Sequence, residues 1–203
     1  MRAERCLGQV PGYTGCMPRI LLFDIDMTMV RTDGAGRGAM DAAFRQQFGI
    51  ERATEGMVFD GRTDHGIFNE CLERHGLGGR DLSSHFERIA ESYLDHLPGR
   101  LAEKGGVVLP GVRELLGALA DEDAVVGLAT GNLRRGAAHK LRHFGLWEHF
   151  AGGGFGDRHT VRAELVRDGI AELETKFGLA AGSAGVIVLG DTPLDIDAAH
   201  LAG

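Results

Sequence analysis

The run Arg19 to Phe23 is short and apolar throughout after its first residue, and it stops at Asp24. A run of that length without alternation suits a strand buried on both faces better than a helix. Two similar runs follow: Ala124 to Ala129, stopping at Thr130, Gly131 and Asn132, and Gly185 to Leu189, stopping at Gly190 and Asp191. A shorter one lies near Phe150 to Phe155. Between and after them the spacing predicts helices over Val112 to Leu119, opened by Pro110 and Gly111, over Leu133 to Phe144 and over Arg162 to Phe177, with a last helix running to the C-terminus. Strands alternating with crossover helices predict an α/β fold with a Rossmann-like parallel sheet, in which ligands bind beyond the carboxyl ends of the strands. Asp24, Thr130 and Asp191 occupy such ends.

The stretch from residue 33 to 105 has a different pattern. Helical periods run over Gly36 to Phe48, Asp64 to His75 and Asp81 to Leu97, with breakers between them and no strand-like run. Asp81 and Ser83 are candidate helix caps, and Leu97 with Pro98 marks the end of the third helix. The expected organisation is therefore an N-terminal extension (1–18), a core formed by 19–32 and 106–203, and a small all-α unit (33–105) inserted after the first strand. The extension lacks the apolar stretch of a signal peptide. Since Met17 stands just before the first strand, it reads either as an overcalled start or as a disordered tail.

Length and composition narrow the choice of function. A chain of 203 residues accommodates one full domain with a smaller second one. Its 43% hydrophobic and 25% charged residues are those of a globular protein, and no apolar run reaches the roughly 18 residues of a membrane span. A net charge of -7, with arginines scattered singly or in pairs, argues against a nucleic-acid partner. Cys6, Cys16 and Cys71 show no ligand spacing and cannot all pair, so neither a disulfide framework nor a zinc site is expected, and a reducing cytoplasm fits.

Four elements carry the candidate chemistry. In LLFDIDMTMV, Asp24 and Asp26 lie two positions apart on extended backbone and point the same way. One carboxylate can attack while the other handles a proton, and the pair suits a hard cation such as magnesium. In VVGLATGN, Thr130 offers a hydroxyl, and the turn through Gly131 and Asn132 offers backbone N–H groups at a helix N-terminus, an anion site. A cation is needed to hold a phosphate dianion against two aspartates; Arg162 at the start of a helix is preferred, with Lys140 the alternative. In VIVLGDTPLDI, Asp191 ends a strand and Asp195 follows one helical turn later on the same side. A plainer reading makes Asp191 and Asp195 caps of the last helix and Thr130 to Asn132 a cap of an earlier one.

These motifs, in this order, resemble those of haloacid dehalogenase superfamily phosphatases, and the order of elements resembles the phosphoglycolate phosphatase-like branch with a helical cap. The segments TGNLRRGAAHKLRHFGL, GFGDRHTVRAELV and GRTDHGIF are similar to that branch as well. The resemblance implies that Asp24 is the nucleophile and Asp26 the general acid and base. It implies that Thr130 and Arg162 hold phosphate, and that magnesium is bound by Asp24, Asp191 and the backbone carbonyl of Asp26, with Asp195 in support. The expected activity is hydrolysis of a small phosphate monoester through an aspartyl phosphate. Met27 and Met29 stand where Gly and Leu are usual, and Arg162 where many members carry Lys. The family also commonly continues for a further strand and helix, so the core is expected to be short at its C-terminus and its sheet edge uncovered.

Rival activities are separated by single features. A dehalogenase has no use for the proton donor Asp26, and a phosphonate hydrolase needs a cap lysine, whereas the first lysine of the chain is Lys104. A phosphomutase uses the same core, and a catalytically impaired binding module remains the rival from another class. Inside the helical insert, Arg62, Thr63, Asp64 and His65 form a polar cluster at the start of a helix. Its plain reading is a helix cap with surface neighbours. Its functional reading places Arg62 on the organic part of the substrate through a bidentate bond to a carboxylate.

Overall fold

The computed structural model describes residues 19–122 and 124–203. The N-terminal extension, with Cys6, Cys16 and Met17, lies outside the described residues. Strand β1 (Arg19–Phe23) stands between β4 (Ala124–Thr130) and β6 (Gly185–Leu189), and β5 (Gly153–Phe155) adds to the far side of β4; all pairings are parallel. The register pairs Phe23 with both Leu128 and Leu189, so β1 and β6 end at one level and β4 runs two residues beyond it, to Thr130.

Period-two alternation sorts the side chains of β1 between two cores. Phe23 packs with Leu116, Leu128, Ala137 and Leu141, under α4 (Val112–Leu119) and α5 (Arg134–His143). Ile20 and Leu22 pack on the opposite face with Leu165, Val166, Leu173 and Ala198, from α6 (Arg162–Phe177) and α7 (Pro193–Ala202).

The insert is helical as expected: α1 (Ala35–Phe48), α2 (Asp64–Arg74) and α3 (Leu82–Lys104) enclose a core of their own around Phe44, Phe68, Leu72, Tyr93 and Leu97. The third helix corrects the reading from sequence. Pro98 lies inside α3, which continues to Lys104. An interior proline costs a helix ~3 kcal/mol. Burial of Leu101 beyond it, which leaves that residue 1% exposed, recovers about 1.5–3 kcal/mol. Asp81 holds the N-cap position of α3 without a side-chain bond, and Ser83 lies within the helix. The two chain crossings between sheet and insert are tied together by a short antiparallel ladder that the sequence did not announce, β2 (Val30–Arg31) on β3 (Val107–Val108). Among the described residues no helix is long and apolar enough to cross a membrane.

Candidate active site

The ends of β1, β4 and β6 meet at a cavity of about 350 Å³ walled on its other side by the helical insert. Asp24 directly follows β1, and its backbone N–H donates to Leu189 O at 2.9 Å, which fixes it against the end of β6. Its side chain is 9% exposed and faces the Arg162 guanidinium at 3.2 Å. Burial pushes the Asp24 carboxyl up to about 6, against the pull of Arg162 and with help from Asp26 and Asp195. Burial also opposes charge on Arg162, yet Asp24 and Asp195 outweigh it and hold the guanidinium above its ordinary value.

The chain turns sharply after Asp24. Met27 N–H donates to Val30 O, and Val30 N–H to Ile25 O, which puts Met27 at φ +62°, a left-handed conformation that costs any residue but glycine. Asp26 leaves this turn toward α5. Lys140 Nζ donates to both its oxygens, at 2.8 and 2.6 Å, and Asn132 Nδ2 donates at 2.8 Å. Lys140 is itself 5% exposed and also donates to Asn132 Oδ1. The two candidate cations are thus divided, Arg162 serving the Asp24 side and Lys140 the Asp26 side.

Asp191 lies just beyond β6 and accepts from Thr28 Oγ1 at 3.1 Å. The cap of α7 is Thr192, not Asp191: Asp195 Oδ2 accepts from the N–H and the hydroxyl of Thr192, closing a capping box. The other oxygen of Asp195 takes a hydrogen bond from Arg162. Gly190 makes that return possible, because a Cβ there would lie 2.1 Å from the Asp195 carboxyl carbon. Carboxylate oxygens of Asp24, Asp191 and Asp195 all fall within 4.8 Å of one another, an all-oxygen donor set. The Asp26 carboxylate is directed to Lys140 instead.

Of the residues after β4, Gly131 and Asn132 line the cavity. Thr130 is fully buried behind them and accepts from Asn132 N and Nδ2. The polar cluster of the insert comes to the same place. Thr63 is the cap of α2, accepting from Gly66 N, while Asp64 caps a different helix: its Oδ2 accepts from Leu133 N at 2.8 Å, at the start of α5. Asp64 N donates to Gly131 O, and His65 Nδ1 lies 2.9 Å from Asp157 O. Gly131 has to be glycine for this contact, since a Cβ would stand 2.2 Å from Arg62 O. Arg62 lines the cavity, but its guanidinium pairs with Glu70 at 2.6 Å.

A family model described as haloacid dehalogenase-like hydrolase matches residues 21–200. The chain belongs to this family. No curated protein matches it. Solved haloacid dehalogenase-like structures share the fold. A predicted phosphoglycolate phosphatase from Haemophilus somnus superimposes with TM-score 0.64 at 18% identity, over 92% of this chain and 82% of that one. CbbY from Rhodobacter sphaeroides, in complex with phosphate, gives TM-score 0.62 at 18% identity, over 92% and 83%. A candidate β-phosphoglucomutase from Thermotoga maritima gives 0.53 at 20% identity, over 92% and 82%.

Within this candidate site of a haloacid dehalogenase-like chain two features had no clear signal in the sequence. Asp64 read as a cap of its own helix, because nothing local shows that α2 begins against the start of α5. Tyr93, on the inner face of α3, reaches the cavity although its neighbours in sequence mark only a core position.

Proposed function

We propose that the protein is a magnesium-dependent phosphatase of small phosphate monoesters, that it works through phosphoryl transfer to Asp24, and that residues 33–105 act as its cap. The observation that carries this reading is the pairing of a buried Asp24, in reach of Arg162, with an Asp26 clamped by Lys140 and Asn132 on the same cavity. A metal fits the site. Three carboxylates converge with oxygen donors alone, as a hard cation prefers, and the desolvated Asp24 has one guanidinium to balance it. Asp24, Asp191 and Asp195 offer side-chain oxygens for magnesium, with the Asp26 carbonyl added by family resemblance; when bound, the ion neutralises charge on the phosphoryl oxygens.

Asp24 attacks phosphorus as the bond to the ester oxygen breaks, and Asp26 passes a proton to the departing oxygen. Lys140 and Asn132 fix the orientation of Asp26 for that transfer. Arg162, together with the backbone at Gly131 and Asn132, balances charge on the transferred group; Thr130 supports them by holding Asn132 in place. Asp26 then takes a proton from water, which attacks the aspartyl phosphate and releases phosphate. The cap elements at Arg62 to His65 exclude bulk water from the cavity mouth. That CbbY, which shares the fold, was solved in complex with phosphate supports the reading.

The test is hydrolysis of p-nitrophenyl phosphate with and without magnesium. Turnover that requires magnesium and disappears in Asp24→Asn supports the proposal, and equal turnover in Asp24→Asn refutes it.

A further inference from the structure

The side of the cavity formed by β2 and the helical insert carries several charges, and its three arginines are committed to partners within the protein. Arg31 pairs with Asp33 at 2.7 Å and Arg62 with Glu70 at 2.6 Å. Arg37 donates to Thr54 O at 2.8 Å and Met57 O at 2.9 Å, and its guanidinium carbon lies over the Phe59 ring at 4.1 Å. Met40 and Phe59 add apolar surface. Three polar side chains lining the cavity, Thr32, Asp60 and Tyr93, have no such partner among the described residues, and Tyr93 is the most deeply set of them. Tyr93 is 1% exposed, yet its hydroxyl makes no hydrogen bond to any described residue, and the residue lines the cavity.

Among the described residues no fully buried side-chain N or O lacks a partner, so the unpartnered Tyr93 hydroxyl is the part of this buried residue that reaches the open cavity, where it is ready to meet a ligand. The Tyr93 ring is held edge-on to Phe68 at 5.3 Å, so its direction is set by the core of the insert. The hydroxyl is on the Asp26 and Lys140 side of the cavity: a Cβ on Gly36 would stand 3.9 Å from both Tyr93 Oη and Lys140 Nζ, which puts those two atoms within about 8 Å of each other, and the Asp26 carboxylate acts on the phenol. Burial, then the carboxylates of Asp64 and Asp26, keep the phenol well above its ordinary value, so it remains a donor.

We infer that Tyr93 determines specificity by hydrogen-bonding a hydroxyl on the carbon adjacent to the one that bears the ester oxygen, so that the preferred substrates are phosphate esters of small polyhydroxylated alcohols. The inference rests on the phosphatase reading, because Asp26 locates the ester oxygen. It departs from a carboxylate-bearing leaving group read by Arg62, whose guanidinium is held by Glu70.

The experiment compares wild type with Tyr93→Phe on three probes: glycerol 1-phosphate, propyl phosphate and p-nitrophenyl phosphate. Wild type should prefer glycerol 1-phosphate to propyl phosphate. Tyr93→Phe should lower kcat/KM for glycerol 1-phosphate by about tenfold, the worth of one neutral hydrogen bond, and leave the other two within about twofold. Its melting temperature should be unchanged or slightly raised, because the hydroxyl has no partner to lose. Equal losses on all three, no loss on any, or a clear fall in melting temperature would overturn the assignment. A wild type that cleaves none of the three would be a different result: it would remove the phosphatase reading, and this assignment with it.

Discussion

Replacing Asp64 by Asn should make the protein more stable at alkaline pH, although the carboxylate it removes accepts a hydrogen bond. In the fold, burial pushes the Asp64 carboxyl from 3.8 up to about 6, opposed by Lys140 and by the Leu133 N–H, with Asp26 and Asp157 adding to the rise. The folded protein therefore retains a proton through the window from 3.8 to about 6 in which the unfolded chain has released it. Stability falls as pH rises through that window, and the full penalty is present above it. The shift corresponds to at most about 3 kcal/mol at roughly 1.4 kcal/mol per pH unit. Asn at this position keeps an acceptor for Leu133 N–H and carries no charge, so the gain at about pH 8 should be ~1–3 kcal/mol, declining to near zero by about pH 4. Asp64→Ala lacks the acceptor and should fall below Asp64→Asn by ~1 kcal/mol at every pH. Urea melts of the three proteins across this range measure the differences directly. An Asp64→Asn variant less stable than wild type at alkaline pH would show that the ionised form is favoured by the fold, and the reasoning from burial would be wrong.

Met27→Gly should relieve the left-handed turn behind Asp24: about 1–2 kcal/mol of strain is recovered, less ~0.4–1 kcal/mol for the freer unfolded chain, for a net gain of up to about 1.5 kcal/mol in denaturant melts. A destabilised variant would mean that the Met27 side chain contributes contacts its 52% exposure does not suggest. Gly131→Ala forces a Cβ to within 2.2 Å of the Arg62 carbonyl, a backbone group that cannot rotate away, and should cost ~1–3 kcal/mol in the same assay. An unperturbed melt would show that the start of α2 moves freely off the loop after β4.

Much of this architecture is written locally in the chain. The strands at Arg19–Phe23 and Gly185–Leu189 and the helices Val112–Leu119 and Arg162–Phe177 have the bounds their apolar runs and breakers suggest. The placement of Asp24, Thr130 and Asp191 on one edge of the sheet follows from the parallel direction of the strands, while their being neighbours depends on the strand order β4-β1-β6. What escaped was decided by tertiary contact. Pro98 reads as a stop, but the burial of Leu101 carries α3 past it. The two-residue strands β2 and β3 are too short to show periodicity and exist because the crossings lie side by side. Asp64 looks like the cap of its own helix, while Thr63 performs that task and frees Asp64 for α5, a partner 69 positions away. The division of Lys140 and Arg162 between Asp26 and Asp24 likewise depends on where two helices come to rest.

The most direct test of the mechanism is to quench the protein with acid during turnover of a radiolabelled phosphate ester in magnesium. The account predicts label bound to protein, released by hydroxylamine as an acyl phosphate should be, mapping to the peptide that contains Asp24 and missing in Asp24→Asn. Turnover without bound label, or label that persists in Asp24→Asn, would contradict it.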